Sequence, residues 1–255
     1  MISDSKNSIR LASINIEGDK HLEAVLSFLA DFKPDVVCLE ELPVSRIEFF
    51  EKLLGMEGYF LPMMKTHLMP GDSTSPLDIF GVGIFSNLPM SDIGSDYYYS
   101  GSENLPMLKF KDGATDETTL WRGLLRATIK KGNKAYTVAV THFTRTNDGS
   151  ADDKQRRDMK NLLILLSKIP EVILCGDFNA PRGWEIFGML SEKYKDNIPA
   201  QYKSSLDPKL HTLQNSKMFM VDGLFTTPYY VVTEAKLSEG VSDHMAVTAI
   251  VNQVK

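Results

Sequence analysis

Apolar and polar positions alternate along this chain in two rhythms. Residues 8-SIRLASINI-16 repeat with a period near two, which predicts a β-strand. Leu22, Val25, Leu26 and Leu29, within 19–32, recur every three or four residues and predict an amphipathic helix that Pro34 ends. The run 35-DVVCLE-40 is apolar without alternation, so it predicts a strand buried on both faces. Strand, helix and buried strand in succession place the chain in the α/β class. A second amphipathic helix is predicted over 43–54. Short strands are predicted at 58-GYFLPM-63, 80-FGVGIFS-86, 122-RGLLRATI-129 and 134-KAYTVAVTHF-143, punctuated by Gly, Pro and Asn. Residues 66–78 and 100–119 are polar and rich in Gly, Ser and Asp, and read as surface loops. The triplet 97-YYY-99 reads better as strand than as a stacking platform.

Asp152 and Asp153 offer caps to a helix reaching about 168, with Met159, Leu162, Leu163 and Leu166 among its apolar positions. The buried run 171-EVILC-175 then stops at 176-GDFN-179. A helix near 183–194, an irregular region over 196–215 and strands near 218–226, 229–236 and 245–252 complete the chain. Short hairpin-like strands mixed with a few long helices argue against a purely parallel Rossmann sheet. Two mixed sheets packed together, with helices outside, fit better. With no internal repeat, low-complexity tract or linker, the simplest organisation is one domain over residues 1–255.

Composition changes this picture little. The 255 residues are 43% apolar and 24% charged, ordinary for a globular protein with a large core. The net charge of −5 argues against a protein that coats DNA nonspecifically, which needs many cationic side chains. It leaves room for a phosphodiester substrate, because a bound cation can supply positive charge. Cys38 and Cys175 both sit in apolar runs and read as buried reduced thiols, neither a disulfide framework nor a zinc site. MISDSKNSIR has no apolar core of a signal peptide, and no apolar run reaches membrane-spanning length. The cytoplasm is the expected compartment, without membrane insertion.

Candidate chemistry collects where strands end. Asn15 lies in 13-SINIEG-18, Glu40 and Glu41 terminate 38-CLEEL-42, and His142 ends 138-VAVTH-142. Asp177 and Asn179 follow the strand at 171–175, Asp222 lies in 220-MVDGLF-225, and Asp243 and His244 precede the last strand. Each has a structural explanation taken singly: a turn former, a solvated helix start, a hydrogen-bonded strand-end histidine. Together they favour a shared site, since ligands of α/β sheets bind at strand ends. Glu41 and Asp177 are hard oxygen donors suited to Mg²⁺ or Mn²⁺. His244 suits proton transfer, with Asp222 fixing its tautomer. His142 and Arg122 suit donation to phosphoryl oxygens. The set suits metal-assisted attack of water on a phosphoester.

The segments 14-INIEG-18, 39-LEEL-42, 141-THF-143, 176-GDFN-179, 222-DGLF-225 and 242-SDH-244, in that order across nearly the whole chain, resemble the endonuclease/exonuclease/phosphatase (DNase I-like) superfamily. The resemblance implies a four-layer α/β sandwich, two mixed β-sheets packed face to face with helices on both outer sides. It implies Mg²⁺ or Mn²⁺ held by Glu41 with help from Asn15, and Asp243 as a second metal or water-site ligand. It gives Asp177 the attacking water, Asn179 the phosphate and nucleophile, His244 with Asp222 the phosphate or a proton, and His142 the scissile phosphate or leaving group. The family often has Gln where this chain has Glu40. Adjacent strand residues face opposite sides, so Glu41 is the expected ligand and Glu40 is not.

The segments 180-APRGWEIF-187 and 144-TRTNDGSADDKQRRD-158 look most like compact bacterial members and the tyrosyl-DNA phosphodiesterase branch. The expected substrate is a nucleic acid or nucleic-acid adduct. An inositol phosphate, lipid headgroup or other small phosphoester is the alternative, and a non-catalytic binding module a third. Arg182 and Trp184 are candidates for a phosphate clamp and a base-stacking platform, although Trp184 serves equally to pack its helix onto the sheet. Arg145, Arg156 and Arg157 are candidates to flank the groove, the last two equally a solvated helix face.

Overall fold

The computed structural model describes residues 7–69, 72–101, 103–111, 114–116, 120–146, 148–212 and 218–254. Two six-stranded sheets dominate it. The first contains β1 (Ile9–Asn15), β2 (Val36–Pro43), β3 (Glu57–His67), β4 (Leu77–Ser86), β13 (Tyr230–Ser238) and β14 (Ala246–Gln253), in the order β13-β14-β1-β2-β4-β3. The second contains β5 (Met90–Tyr99), β8 (Arg122–Lys131), β9 (Lys134–His142), β10 (Ile173–Asp177), β11 (Lys195–Asp196) and β12 (Asp222–Thr226), in the order β11-β12-β10-β9-β8-β5. A separate pair is formed by β6 (Lys109–Lys111) and β7 (Ala114–Asp116).

Each large sheet has one parallel pair at its centre, β1 with β2 and β9 with β10, and the pairs around it are antiparallel. A parallel pair requires a crossover, and a helix supplies it in both sheets. α1 (Leu22–Phe32) connects β1 to β2, and α3 (Asp153–Leu166) connects β9 to β10. The crossovers lie on opposite outer faces. α1 and α2 (Ile47–Leu54) cover the first sheet, where Val25, Leu29 and Phe50 pack on Ala12, Ile14, Val37 and Phe85. α3 and α4 (Glu185–Ser191) cover the second, where Met159, Leu162 and Phe187 pack on Leu124, Leu174 and Phe225.

The alternation read in residues 8–16 is the physical basis of this layering. Ile9 and Leu11 enter the inter-sheet core, while Ala12 and Ile14 face α1 and α2. The inter-sheet core joins Leu11, Val36, Cys38 and Val247 of one sheet to Leu125, Val138, Cys175 and Leu224 of the other. The result is the expected four-layer sandwich, helix, sheet, sheet, helix. Both cysteines are fully buried free thiols. No helix among the described residues is long and apolar enough to cross a membrane.

Several element boundaries differ from the sequence reading. The polar stretch 66–78 is shorter as a loop, because β3 runs to His67 and β4 begins at Leu77. The 100–119 stretch contains β6 and β7. Within these stretches and within 196–215, residues 70–71, 102, 112–113, 117–119 and 213–215 lie outside the described residues. Pro43 ends β2, a 3-10 turn covers Val44–Arg46, and only then does α2 begin. Tyr97, Tyr98 and Tyr99 close β5, as the triplet predicts. The earlier residues of β5 are largely half-exposed edge positions without an apolar rhythm. Asp152 caps α3 by accepting the Gln155 backbone N–H at 2.7 Å.

Candidate active site

Both parallel pairs end at the same edge of the sandwich, and that edge carries the site. Asn15 closes β1, Glu40 and Glu41 lie near the end of β2, His142 closes β9 and Asp177 closes β10. Asp177 stands opposite His142 on one side and Asp222, the first residue of β12, on the other. Asp243 and His244 arrive on the approach to β14.

Asp177 is the hub. Its Oδ1 accepts the Asn179 backbone N–H at 2.8 Å, and its Oδ2 accepts Asn15 Nδ2 at 3.2 Å. The same Oδ2 lies 3.6 Å from His142 Nε2 and 3.7 Å from His244 Nε2. Asn15 Nδ2 also donates to Glu41 Oε1 at 3.3 Å, and His142 Nε2 lies 3.9 Å from that oxygen. His244 Nδ1 and Asp222 Oδ2 are 2.8 Å apart, so Asp222 fixes the tautomer and leaves Nε2 toward Asp177. One compact cluster therefore unites Asn15, Glu41, His142, Asp177, Asp222 and His244 from both sheets.

Local backbone geometry makes this possible. Gly176 has φ 144°, and a Cβ there would sit 1.9 Å from the Thr141 carbonyl oxygen. Glycine thus serves close approach of β10 to β9 as well as the turn that follows. Asn179 has φ 49°, and with the Asp177 carboxylate on its N–H it forms a tight turn. Its Nδ2 donates to the Phe143 carbonyl at 3.1 Å. Glu41 has φ 53° at a register shift between Leu39 and Leu42, a bulge that re-aims its side chain.

Glu40 points into the sandwich behind the cluster, and the bulge at Glu41 breaks the alternation that would send these two side chains to opposite faces. It is fully buried, accepts Ser13 Oγ at 3.0 Å, and its Oε2 has no hydrogen-bond partner among the described residues. Burial, then the charges of Asp222 and Asp177, push it well above the usual carboxylate range. The environment thus favours its neutral, protonated form, the form closest to the amide the family often carries there.

Burial shifts the working groups as well. It pushes Glu41 from 4.5 up to about 8, with the Asp243 carboxylate adding to the effect. It pushes Asp177 from 3.8 up to about 6, opposed by His244 and reinforced by Asp222. Burial alone would lower His244, but the Asp222 and Asp177 carboxylates outweigh it and hold the ring well above its ordinary value. Burial, together with Arg122, His244 and Arg145, holds His142 well below its ordinary value. The site thus offers an imidazolium, a neutral imidazole and crowded carboxylates whose repulsion a divalent cation would relieve. That donor set fits a hard cation.

Some candidates take other roles. Asn15 Oδ1 accepts the Glu17 N–H at 3.2 Å, which turns its amide nitrogen toward both carboxylates. Arg122 is 1% exposed, and its Nη1 donates to the His142 carbonyl at 3.2 Å, so it supports the site from behind rather than reaching a phosphate. Arg182 is likewise no clamp. Its guanidinium holds Asp196 at 2.8 Å and the Ile198 and Tyr202 carbonyls at 3.0 and 3.4 Å. Trp184 is 42% exposed and packs edge-on against Phe219 at 5.5 Å, outside the hydrogen-bonded cluster. Arg156 pairs with Glu185, tying α3 to α4, and Arg157 lies over the Tyr99 ring.

Three residues were not singled out from the sequence. His211 Nε2 lies 4.0 Å from Asp243 Oδ2, and its ring centroid is 5.9 Å from that of His244. It sits in the irregular stretch, where a lone histidine carries no pattern. Gln155 and Asp158 are buried polar residues of α3 that hold the loop after β9: Gln155 donates to the Thr144 carbonyl at 2.7 Å, and Thr144 Oγ1 donates to Asp158 at 2.7 Å. The signal was available, because polar residues at inward helical positions ask for partners.

Residues 12–244 match the family model described as Endonuclease/Exonuclease/phosphatase family. No curated protein matches the chain. Among solved structures, the human Nocturnin catalytic domain with a bound sulfate anion is similar over 97% of this chain and 94% of its own, with 18% identity and TM-score 0.69. TDP2 of D. rerio, complexed with single-strand DNA product, is similar over 96% and 99%, with 16% identity and TM-score 0.66. The mannosyl-6-phosphatase of Bacteroides thetaiotaomicron is similar over 96% and 100%, with 13% identity and TM-score 0.65. At these identities the likeness establishes the shared fold.

Proposed function

The chain belongs to the Endonuclease/Exonuclease/phosphatase family, an assemblage of phosphoester hydrolases, and on that footing we propose that it is a divalent-metal-dependent phosphodiesterase acting on a nucleic acid or nucleic-acid adduct. The observation that carries the chemistry is the Asp222–His244 pair at 2.8 Å with Asp177 beside it. Glu41, helped by Asp243, would hold Mg²⁺ or Mn²⁺, and the bound ion would supply Lewis-acid charge to the phosphoryl oxygens.

The protein's own groups do the rest. Asp177 Oδ2 orients the attacking water and accepts its proton, and Asn15 Nδ2 holds that carboxylate in register with Glu41. His244 donates from Nε2 to the phosphoryl group while Asp222 steadies its charge. His142, kept neutral, faces the same pocket from β9 and supports the phosphate or leaving oxygen. Asn179, fixed by its turn, completes the phosphate cradle. Trp184 favours a substrate with planar bases, since it presents an exposed indole supported by Phe219. The DNA-bound TDP2 structure shares the fold and supports this reading. The mannosyl-6-phosphatase shares it too and keeps a small phosphomonoester as the second reading.

The deciding experiment is a panel of single- and double-stranded DNA, a 5′-tyrosyl oligonucleotide, RNA, a sugar phosphate, an inositol phosphate and an aryl phosphodiester, each with Mg²⁺ or Mn²⁺. Turnover abolished by EDTA and by His244→Ala, and fastest on a nucleic acid, is the expected result. Fastest turnover of a sugar phosphate moves the assignment to the second reading. Turnover that survives EDTA or His244→Ala overturns the mechanism.

A further inference from the structure

His211, Asp243 and His244 form a constellation that the hydrolytic reading does not use as a unit. One ligand atom from each lies within 4.8 Å of the others. We propose that these three residues bind a borderline transition-metal ion of the Zn²⁺ class, and that the bound ion inhibits hydrolysis by occupying His244 Nε2.

The donor set differs in kind from that of Glu41, although Asp243 borders both. Two imidazoles and one carboxylate suit Zn²⁺, Co²⁺ or Ni²⁺, whereas Mg²⁺ prefers oxygen. Three such ligands with a fourth position open to water are a common zinc arrangement. The outer partners are already in place. A metal-binding histidine typically donates its other ring N–H to a carboxylate, and His244 Nδ1 meets Asp222 at 2.8 Å.

His211 is also held ready. Asp207 Oδ1 accepts the Lys209 and Leu210 backbone N–H groups, each at 2.9 Å, and His211 N donates to the Asp207 carbonyl at 3.2 Å. Asp207 Oδ2 accepts the Gly240 N–H at 2.7 Å, and Asp207 N donates to the Asp243 carbonyl at 2.7 Å. The turn that carries His211 is thereby stitched to the segment that carries Asp243 and His244. The His211 Nε2 to Asp243 Oδ2 separation of 4.0 Å closes onto a shared ion with a small side-chain adjustment. A neighbouring group, Glu17, His21 and Asp243, is the weaker competitor, because Glu17 already pairs with Lys20 and His21.

Binding is a property of the residues alone, and only the inhibition rests on the hydrolytic reading, so two readouts separate them. In the first, the metal-free full chain is titrated with Co²⁺ and its visible absorption followed. The wild type and His21→Ala should develop the intense spectrum of low-coordinate Co²⁺, lost on adding Zn²⁺. His211→Ala should bind about tenfold more weakly or not at all. In the second, Mg²⁺-supported hydrolysis is titrated with Zn²⁺. His211→Ala should keep the Mg²⁺ rate and need about tenfold more Zn²⁺ for half inhibition. Equal Co²⁺ binding by His211→Ala and wild type, loss of binding in His21→Ala instead, or unchanged Zn²⁺ sensitivity in His211→Ala overturns the proposal. If no substrate is turned over, the Co²⁺ titration still decides the binding claim.

Discussion

Glu41 and Asp177 are carboxylates held where carboxylates are poorly solvated, and this has a consequence for stability. Each binds its proton more tightly folded than unfolded, with folded values of about 8 and about 6. A carboxyl group raised in this way loses stabilising effect as pH rises from its unfolded to its folded value. For Asp177 the window runs from 3.8 to about 6, and for Glu41 from 4.5 to about 8. His244, raised by its carboxylate partners, has the same sign: its contribution is full below 6.5 and is lost as pH climbs through its folded value. His142 is lowered and works oppositely, but only below 6.5. The metal-free protein should therefore lose thermal stability between about pH 6.5 and 8. Mg²⁺ should raise Tm more at pH 8 than at pH 6, because an ion held at Glu41 offsets the charge that Glu41 and the neighbouring Asp177 gain on giving up protons. Tm against pH with EDTA and with Mg²⁺ checks this, and Glu41→Gln should flatten the EDTA curve. A Mg²⁺ effect independent of pH would mean that these carboxylates do not sense the ion.

Elements, more than single residues, were legible in the sequence. β1, β2, β9 and β10 and the crossover helices follow from apolar rhythm, since buried strands and amphipathic helices leave a periodic record. β5 left a trace only in its tyrosines, because an edge strand need not be apolar on either face. The strand-end positions of Asn15, Glu41, His142, Asp177, Asp222 and His244 were readable as a set, because polar residues interrupt apolar runs there. Side-chain orientation was not. Nothing in 180-APRGWEIF-187 says that Arg182 turns toward Asp196, and nothing near 211 says that Asp207 folds its turn against Gly240. Gly176 shows where strand geometry governs chemistry. Its missing Cβ lets β10 approach β9, and Asp177 is the next residue. Gly176→Ala must push Thr141 away or shift the strand end, a strain of about 1–3 kcal/mol by analogy with other overpacked sites. Urea unfolding should show a lower midpoint, and kcat should fall by more than that destabilisation alone explains. A variant with wild-type midpoint and kcat would show that the close approach is not needed.

At the scale of the molecule, the site exists only while the two sheets are docked. Glu41, Asn15, Asp243 and His244 belong to the first sheet or its approach, while His142, Asp177 and Asp222 belong to the second. The two cysteines report on that docking. Cys38 lies on β2 and Cys175 on β10, both fully buried in the inter-sheet core. Neither can meet a reagent unless that core opens, so both should be alkylated at the same slow rate, set by the opening equilibrium. A cation held by Glu41 and Asp243 on the first sheet would offset the charge of Asp177 on the second, so it favours the docked state and should protect both thiols equally. At a Mg²⁺ concentration of about 100 times its dissociation constant, labelling should slow about 100-fold. Pulsed iodoacetamide labelling, with the two cysteine peptides quantified separately, makes the measurement. Equal rates and equal protection mean that the sandwich opens as one unit and that the metal site is a clasp between its halves. Faster labelling of one thiol, or protection of only one, would mean that a single sheet loosens alone and that the ion acts on one side of the site.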